Sequence, residues 1–108
     1  MSKFIATIQQ GHNADDLREH LAKGLQNIAI ESFGKEAANS EVKWKVIPKS
    51  FAWTAGKPSR TSALICVVPE DLEFETRAKF MAQINDYWVG QTGANPNELL
   101  IFTLNNGY

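Results

Sequence analysis

The sequence predicts an α+β sandwich. Two β-α-β halves, related by a pseudo-two-fold internal repeat, form a four-stranded mixed sheet with both helices on one face. Three observations lead there. Short runs rich in β-branched residues occur at four places along the chain. Two longer stretches between them carry apolar residues at helical spacing. The two halves also match in length, running from position 9 to 42 in the first and from 68 to 99 in the second. Each half is long enough for a right-handed crossover between parallel strands, and two such halves side by side give the layered sheet.

Lys3–Gln9 reads as the first strand, with Phe4, Ala6 and Ile8 alternating against Ile5, Thr7 and Gln9. Gly11-His12-Asn13 breaks it. Asn13 is placed to cap the following helix, and Asp15 and Asp16 sit where a helix amino end favours negative charge. Leu17, Leu21, Leu25 and Ile28 make one apolar stripe, and Arg18, Glu19, Lys23 and Gln26 fall off it. Gly24 inside this helix costs about 1 kcal/mol relative to Ala, which suggests a neighbouring backbone packing closely there. Gly34 is the stop signal. Glu41–Ile47 is the second strand, with Val42, Trp44 and Val46 on one face and Lys43 and Lys45 on the other. Pro48 ends it.

Pro48–Ser62 is a connection of about fifteen residues, longer than most in a compact domain, and such loops are often functional. Ala63–Val68 is a continuously apolar strand, which places it centrally or covers it on both faces. Pro69-Glu70-Asp71 reads as the start of the second helix. Its stripe is Phe74, Ala78, Met81, Asn85 and Trp88, flanked by Ile84 and Tyr87, and Gly90 and Gly93 mark its end. Leu99–Leu104 is the fourth strand, and Asn105–Tyr108 a short tail.

Composition bounds the function. At 108 residues the chain makes a single domain, 1–108, with a real core. Eleven basic against twelve acidic side chains give a net charge of −1, without the basic excess of a nucleic-acid-binding domain. No apolar run approaches the roughly 20 residues of a membrane helix, and Met1–Gln10 lacks a signal-peptide core. Cys66 is the lone cysteine, so no internal disulfide forms, and zinc or redox spacings are missing. A cytoplasmic protein without metal or cofactor, binding neither nucleic acid nor membrane, is expected. With both helices on one sheet face, the other face keeps apolar residues that oligomerisation would cover.

The usual catalytic constellations are missing. His20 lies among Arg18, Glu19 and Lys23 and reads as solvated surface. His12 reads as a turn residue, with a place facing a site as the second reading. Cys66 sits mid-strand among Leu64, Ile65, Val67 and Val68, where a thiol is inert. Ala55-Gly56-Lys57-Pro58-Ser59 lacks the preceding glycine and following helix of a phosphate loop. The informative stretch is Pro48–Ser62, which carries Phe51, Trp53, Lys49, Lys57 and Arg60. Two readings stay open. In one, Arg60 grips a small organic carboxylate, Lys57 adds a point charge, and Trp53 or Phe51 supplies an apolar wall. In the other, the stretch is a hairpin that packs on a neighbouring subunit with its cations in solvent.

The order of these segments resembles the tautomerase superfamily, which includes 4-oxalocrotonate tautomerase, macrophage migration inhibitory factor and cis-3-chloroacrylic acid dehalogenase. The residues that carry the resemblance are Lys3–Gly11, Val46-Ile47-Pro48, Phe51–Ser59, and Trp88–Leu104 with Thr92-Gly93-Ala94-Asn95-Pro96. Together they cover nearly the whole chain. The resemblance implies a trimer with active sites near subunit boundaries. It also implies an amino-terminal proline, exposed when Met is removed, as catalyst on keto-enol and unsaturated acids, with cations holding the substrate carboxylate.

This chain departs at that position, which holds Ser2. If Met1 is removed, Ser2 presents a primary amine with an unperturbed pKa of about 7.7–8.0, lowered by burial or a nearby cation. Such an amine can still move a proton. If Met1 stays, the amine is displaced by one residue. The arginine pair that the dehalogenase relatives carry after the third strand corresponds to the acidic Val68-Pro69-Glu70-Asp71-Leu72. Their last-strand tyrosine corresponds to Phe102, and the acidic residue of their carboxy-terminal extension has no counterpart.

The expected function is weak keto-enol tautomerisation of a small 2-keto or enol carboxylic acid. The Ser2 amine would be the base, Arg60 and Lys57 would hold the carboxylate, and Trp53 or Phe102 would wall the pocket. One alternative is a non-catalytic small-anion-binding or interaction protein on the same scaffold, with Met1 retained and no pocket reaching the amino terminus. Another is a dimeric α+β barrel of the small monooxygenase type.

Overall fold

In the computed structural model, which describes residues 2–69 and 72–105, alternation in the first strand decides the layering. Phe4, Ala6 and Ile8 of β1 (Lys3–Gln9) are buried on one sheet face, and Ile5 and Thr7 turn to the other. A short helix, α1 (Asn13–Asp16), leads into α2 (Arg18–Phe33). A 3-10 turn at Lys35–Asn39 feeds β2 (Glu41–Ile47). The connection that follows folds into a small hairpin, β3 (Trp53–Thr54) and β4 (Lys57–Pro58). Then come β5 (Ser62–Val68), α3 (Phe74–Thr92), a 3-10 turn at Pro96–Glu98, and β6 (Leu99–Asn105).

The sheet order is β2-β1-β5-β6. β1 runs parallel to β2, with Lys3 opposite Glu41 and Gln9 opposite Ile47. β5 runs parallel to β6, with Ser62 opposite Leu99. The two halves join antiparallel between β1 and β5, with Lys3 opposite Val67. This is the expected four-stranded mixed sheet of two β-α-β units. The core lies between its inner face and the helices. Phe4, Ile8, Leu64 and Cys66 come from the sheet, Leu21, Leu25 and Ala29 from α2, and Phe80, Ile84 and Trp88 from α3. The outer face aligns Ile5, Ile65 and Phe102 across three strands. Phe102 and its strand neighbour Leu100 remain half exposed.

Several local expectations are corrected. His12, with no side-chain bond, occupies the cap position expected of Asn13. The Asn13 Nδ2 instead donates to the Thr92 carbonyl oxygen at 2.8 Å, because a partner at the end of α3 competes with the local cap. Leu17, with φ −105° and ψ 15°, separates α1 from α2. The second long helix starts at Phe74 rather than at Pro69-Glu70-Asp71. Positions 70 and 71, like 106–108 of the tail, lie outside the described residues. Its buried stripe is Phe80, Ile84, Trp88 and Thr92, not the series counted from Phe74. Phe74 belongs to the first turn and is exposed, its ring centroid 6.0 Å from the Arg77 guanidinium. Gly90 stays inside the helix, and Gly93, at φ 72°, closes it in the left-handed conformation.

Gly24 has its explanation in a side chain rather than a backbone. A Cβ there would lie 1.9 Å from Cζ of Tyr87, whose hydroxyl donates to the His20 carbonyl oxygen at 2.9 Å. Gly24→Ala displaces that ring and breaks its hydrogen bond, worth about 1 kcal/mol, which offsets the gain in helix propensity, so urea unfolding is expected to show little net change in stability. In a Tyr87→Ala background the obstruction is gone. The same change then becomes stabilising by about 1 kcal/mol through helix propensity.

Cys66 is buried in the middle of the sheet, and desolvation pushes its thiol up to about 12 from an ordinary 9.0. Between those values the unfolded chain loses the thiol proton and the folded chain keeps it, so stability falls as pH rises through this window. A thiol-reactive disulfide reagent at pH 8 is expected to label the unfolded chain and leave the native one unmodified.

Candidate functional site

Two concavities matter, and they lie at opposite ends of the sheet. The first is at the amino end of β1. Ser2 is nearly completely buried and lines a cavity of about 280 Å³ with Phe33, Glu36, Ala37 and Pro69. Parallel pairing of β1 with β2 sets Lys3 beside Glu41, so the residues just before each strand, Ser2 and Ser40, meet. Their hydroxyl oxygens are hydrogen-bonded to each other. The Ser40 Oγ donates to the Ala37 carbonyl oxygen at 2.6 Å. The Ser40 carbonyl oxygen accepts from Gln26 Nε2 at 2.9 Å.

The second concavity is a cleft of about 320 Å³ at the far end of β1. Gly11, His12, Arg60, Ser62, Thr92 and Glu98 are among its walls. The turn after β1 is fixed to the end of α3 by the Asn13–Thr92 bond. The start of β5 is held by Gln9, whose Nε2 donates to the Thr61 carbonyl oxygen at 3.1 Å. Arg60 thus sits on an anchored rim with its side chain exposed. Seven strand residues at about 3.3 Å each set the two concavities roughly 20 Å apart.

Lys57 and Trp53 share the hairpin, where Trp53 pairs with Pro58 and Thr54 with Lys57. Ala55 and Gly56 turn it with φ of 51° and 76°, the two positive values that a type I′ hairpin turn requires. The arm is braced internally. Ser59 N–H donates to the Ala52 carbonyl oxygen at 2.7 Å, and Trp53 Nε1 donates to the Ser50 carbonyl oxygen at 3.1 Å. Yet Phe51 and Trp53 are 74% and 62% exposed. An ordered arm holding two large rings in solvent has the form of a contact element.

Within one chain, then, Lys57 and Trp53 come together on the hairpin and Arg60 joins His12 in the cleft. Ser2 stands at the other end, and Phe102 lies on the outer sheet face. Sequence reasoning missed Ser40, Gln26, Phe33 and Glu36 around Ser2, and Glu98 in the cleft. For Ser40 a signal existed, because the parallel register of two β-α-β strands places the residues preceding them side by side. Among the described residues, no group of three or more His, Cys, Asp and Glu side chains is positioned to share a metal ion.

No protein-family model and no curated protein matches the sequence. Solved structures do match. Native Ps01740 superposes with a TM-score of 0.86 at 20% identity, covering 94% of this chain and 91% of that one. An asymmetric trimer of a fused 4-OT, F6, gives 0.82 at 15% identity, covering 96% and 87%. N1, of the cis-3-chloroacrylic acid dehalogenase family, gives 0.82 at 10% identity, covering 95% and 73%. The chain has the tautomerase fold. At these identities the tautomerase likeness is one of backbone architecture, reaching over nearly all of the chain. No helix among the described residues is long and apolar enough to cross a membrane.

Proposed function

We propose that the chain works as a homo-oligomer, a trimer, in which the Ser2 amine of one copy faces the Arg60 loop of another. At that boundary it would interconvert the keto and enol forms of a small 2-keto carboxylic acid. The observation that carries this reading is the cavity opening onto residue 2, where the resemblance places the catalytic amine. The non-catalytic alternative expects no such cavity, and no observation favours the dimeric barrel. Association is supported by the half-exposed Leu100 and Phe102 on the outer sheet face and by the bare rings of the hairpin. It would also close the distance between Ser2 and Arg60, and fused 4-OT, of like fold, is a trimer.

The chemistry needs little else. With Met1 removed, the neutral Ser2 amine takes the proton of the enol hydroxyl, and the resulting ammonium returns a proton to C3, giving the 2-keto acid. Arg60 binds the carboxylate through two N–H donors, and Lys57 adds positive charge. Trp53 and Phe102 keep water from the reacting carbons. Ketonisation of phenylenolpyruvate, followed on protein whose amino-terminal residue is read by intact mass, tests the proposal. A rate no higher than buffer with Ser2 first in the chain refutes it. Arg60→Ala is expected to raise KM about tenfold to a hundredfold, the value of charged hydrogen bonds to the substrate, with a smaller change in kcat.

A further inference from the structure

We propose that Ser40 is a positioning residue for the Ser2 amine. The inference rests on the reading above and deepens it. Ser40 is 2% exposed, and its single hydroxyl proton is committed to the Ala37 carbonyl oxygen, which can only accept. In the bond between the two serines Ser40 is therefore the acceptor, and Ser2 donates. The chain of bonds has one direction, from Ser2 Oγ–H to Ser40 Oγ–H to the Ala37 carbonyl.

That direction has a chemical consequence. In a free amino-terminal serine the hydroxyl can turn and donate to its own amine, engaging the nitrogen lone pair. Here the hydroxyl proton is spent on Ser40, so the lone pair stays available to accept a proton from a substrate. The Ser2 side chain is also tied to a partner that is itself buried and hydrogen-bonded. Ser40 is fixed on three sides. Its N–H donates to the Ala37 carbonyl oxygen at 3.0 Å, its carbonyl accepts from Gln26, and its hydroxyl is bonded as above. A primary amine, which rotates more freely than a ring amine, gains its orientation from this serine pair.

Periodate reads this arrangement without reference to turnover. It cleaves the Cα–Cβ bond of an amino-terminal serine through a complex with both the amine and the hydroxyl, releasing formaldehyde and ammonia and leaving a glyoxylyl group, while periodate becomes iodate. In the native full-length protein the Ser2 hydroxyl is tied to Ser40 and buried, so oxidation, followed by mass, is expected to be slow. Ser40→Ala should speed it about threefold to tenfold, the factor one net hydrogen bond supports. Ser40→Thr, which keeps the hydroxyl, should restore the slow rate. Circular dichroism checks folding, and Ser40→Gly replaces Ser40→Ala if the latter does not fold. Equal native rates in wild type and the alanine or glycine variant overturn the role of Ser40 and leave the catalytic reading standing. Absence of oxidation even in unfolded wild type means that Met1 is retained, which removes the catalytic reading and this role together.

Discussion

A chain with one extra residue left ahead of Ser2 is expected to lose about 10²- to 10⁴-fold in ketonisation rate, the range a positioned general base supplies. Its fold is expected to be unchanged. The extra residue turns the Ser2 nitrogen into an amide, which has no basic lone pair, while β1 begins only at Lys3 and its pairing is untouched. The Ser2 hydroxyl keeps its bond to Ser40. Loss of rate with retained circular dichroism and thermal midpoint therefore assigns the chemistry to the amine. An unchanged rate would move the base elsewhere in the molecule.

Trp88→Ala is expected to cost about 3–5 kcal/mol in urea unfolding, the range for deleting a fully buried large aromatic. Trp88 is 1% exposed. Its ring lies 6.2 Å from that of Trp44, so one contact ties α3 to β2 across the sheet. It also backs the cleft that holds Arg60. Small domains have only about 5–15 kcal/mol in total, so this substitution removes a large part of the margin. Trp53→Ala is the control. On the exposed hairpin it should change the stability of the isolated fold by about 0.5 kcal/mol or less. If Trp53 seats on a neighbouring copy, the same change should weaken association, read by light scattering.

The contrast between these two tryptophans shows what was legible in the sequence. Where burial follows a local period, the chain could be read directly. Alternation in Lys3–Gln9 and Glu41–Ile47, the Leu21–Leu25 stripe and the apolar run of β5 all match the structure. Local signals mislead where tertiary partners override them. Asn13 has the chemistry of a cap, but its side chain bonds to Thr92. Gly24 suggests a backbone neighbour, and the neighbour is the Tyr87 ring. Phe74 fits a helical stripe by spacing but lies against Arg77 in the first turn.

The candidate site was less legible for a geometric reason. Chemistry and resemblance point to Ser2, Arg60, Lys57, Trp53 and Phe102, but one-dimensional spacing does not say which end of the sheet each residue occupies. The antiparallel junction of β1 and β5 sets the start of β5 beside the end of β1, with Ala63 opposite Thr7, so Arg60 lies at the end of the sheet away from Ser2. Ser2 and Arg60 therefore separate within one chain. The idea of a site between subunits reconciles their chemistry with their distance, and it makes the hairpin the bridge.

Mixing two defective chains tests that idea most directly. One carries the extra residue ahead of Ser2, and the other carries Arg60→Ala. Each alone is expected to be nearly inactive on phenylenolpyruvate at substrate concentrations below the wild-type KM. Unfolded together and refolded, they should form mixed oligomers in which an intact Ser2 amine meets an intact Arg60 loop from a different copy, and activity should return. A mixture that stays as inactive as its components, alongside an active wild type, would contradict a site built between subunits.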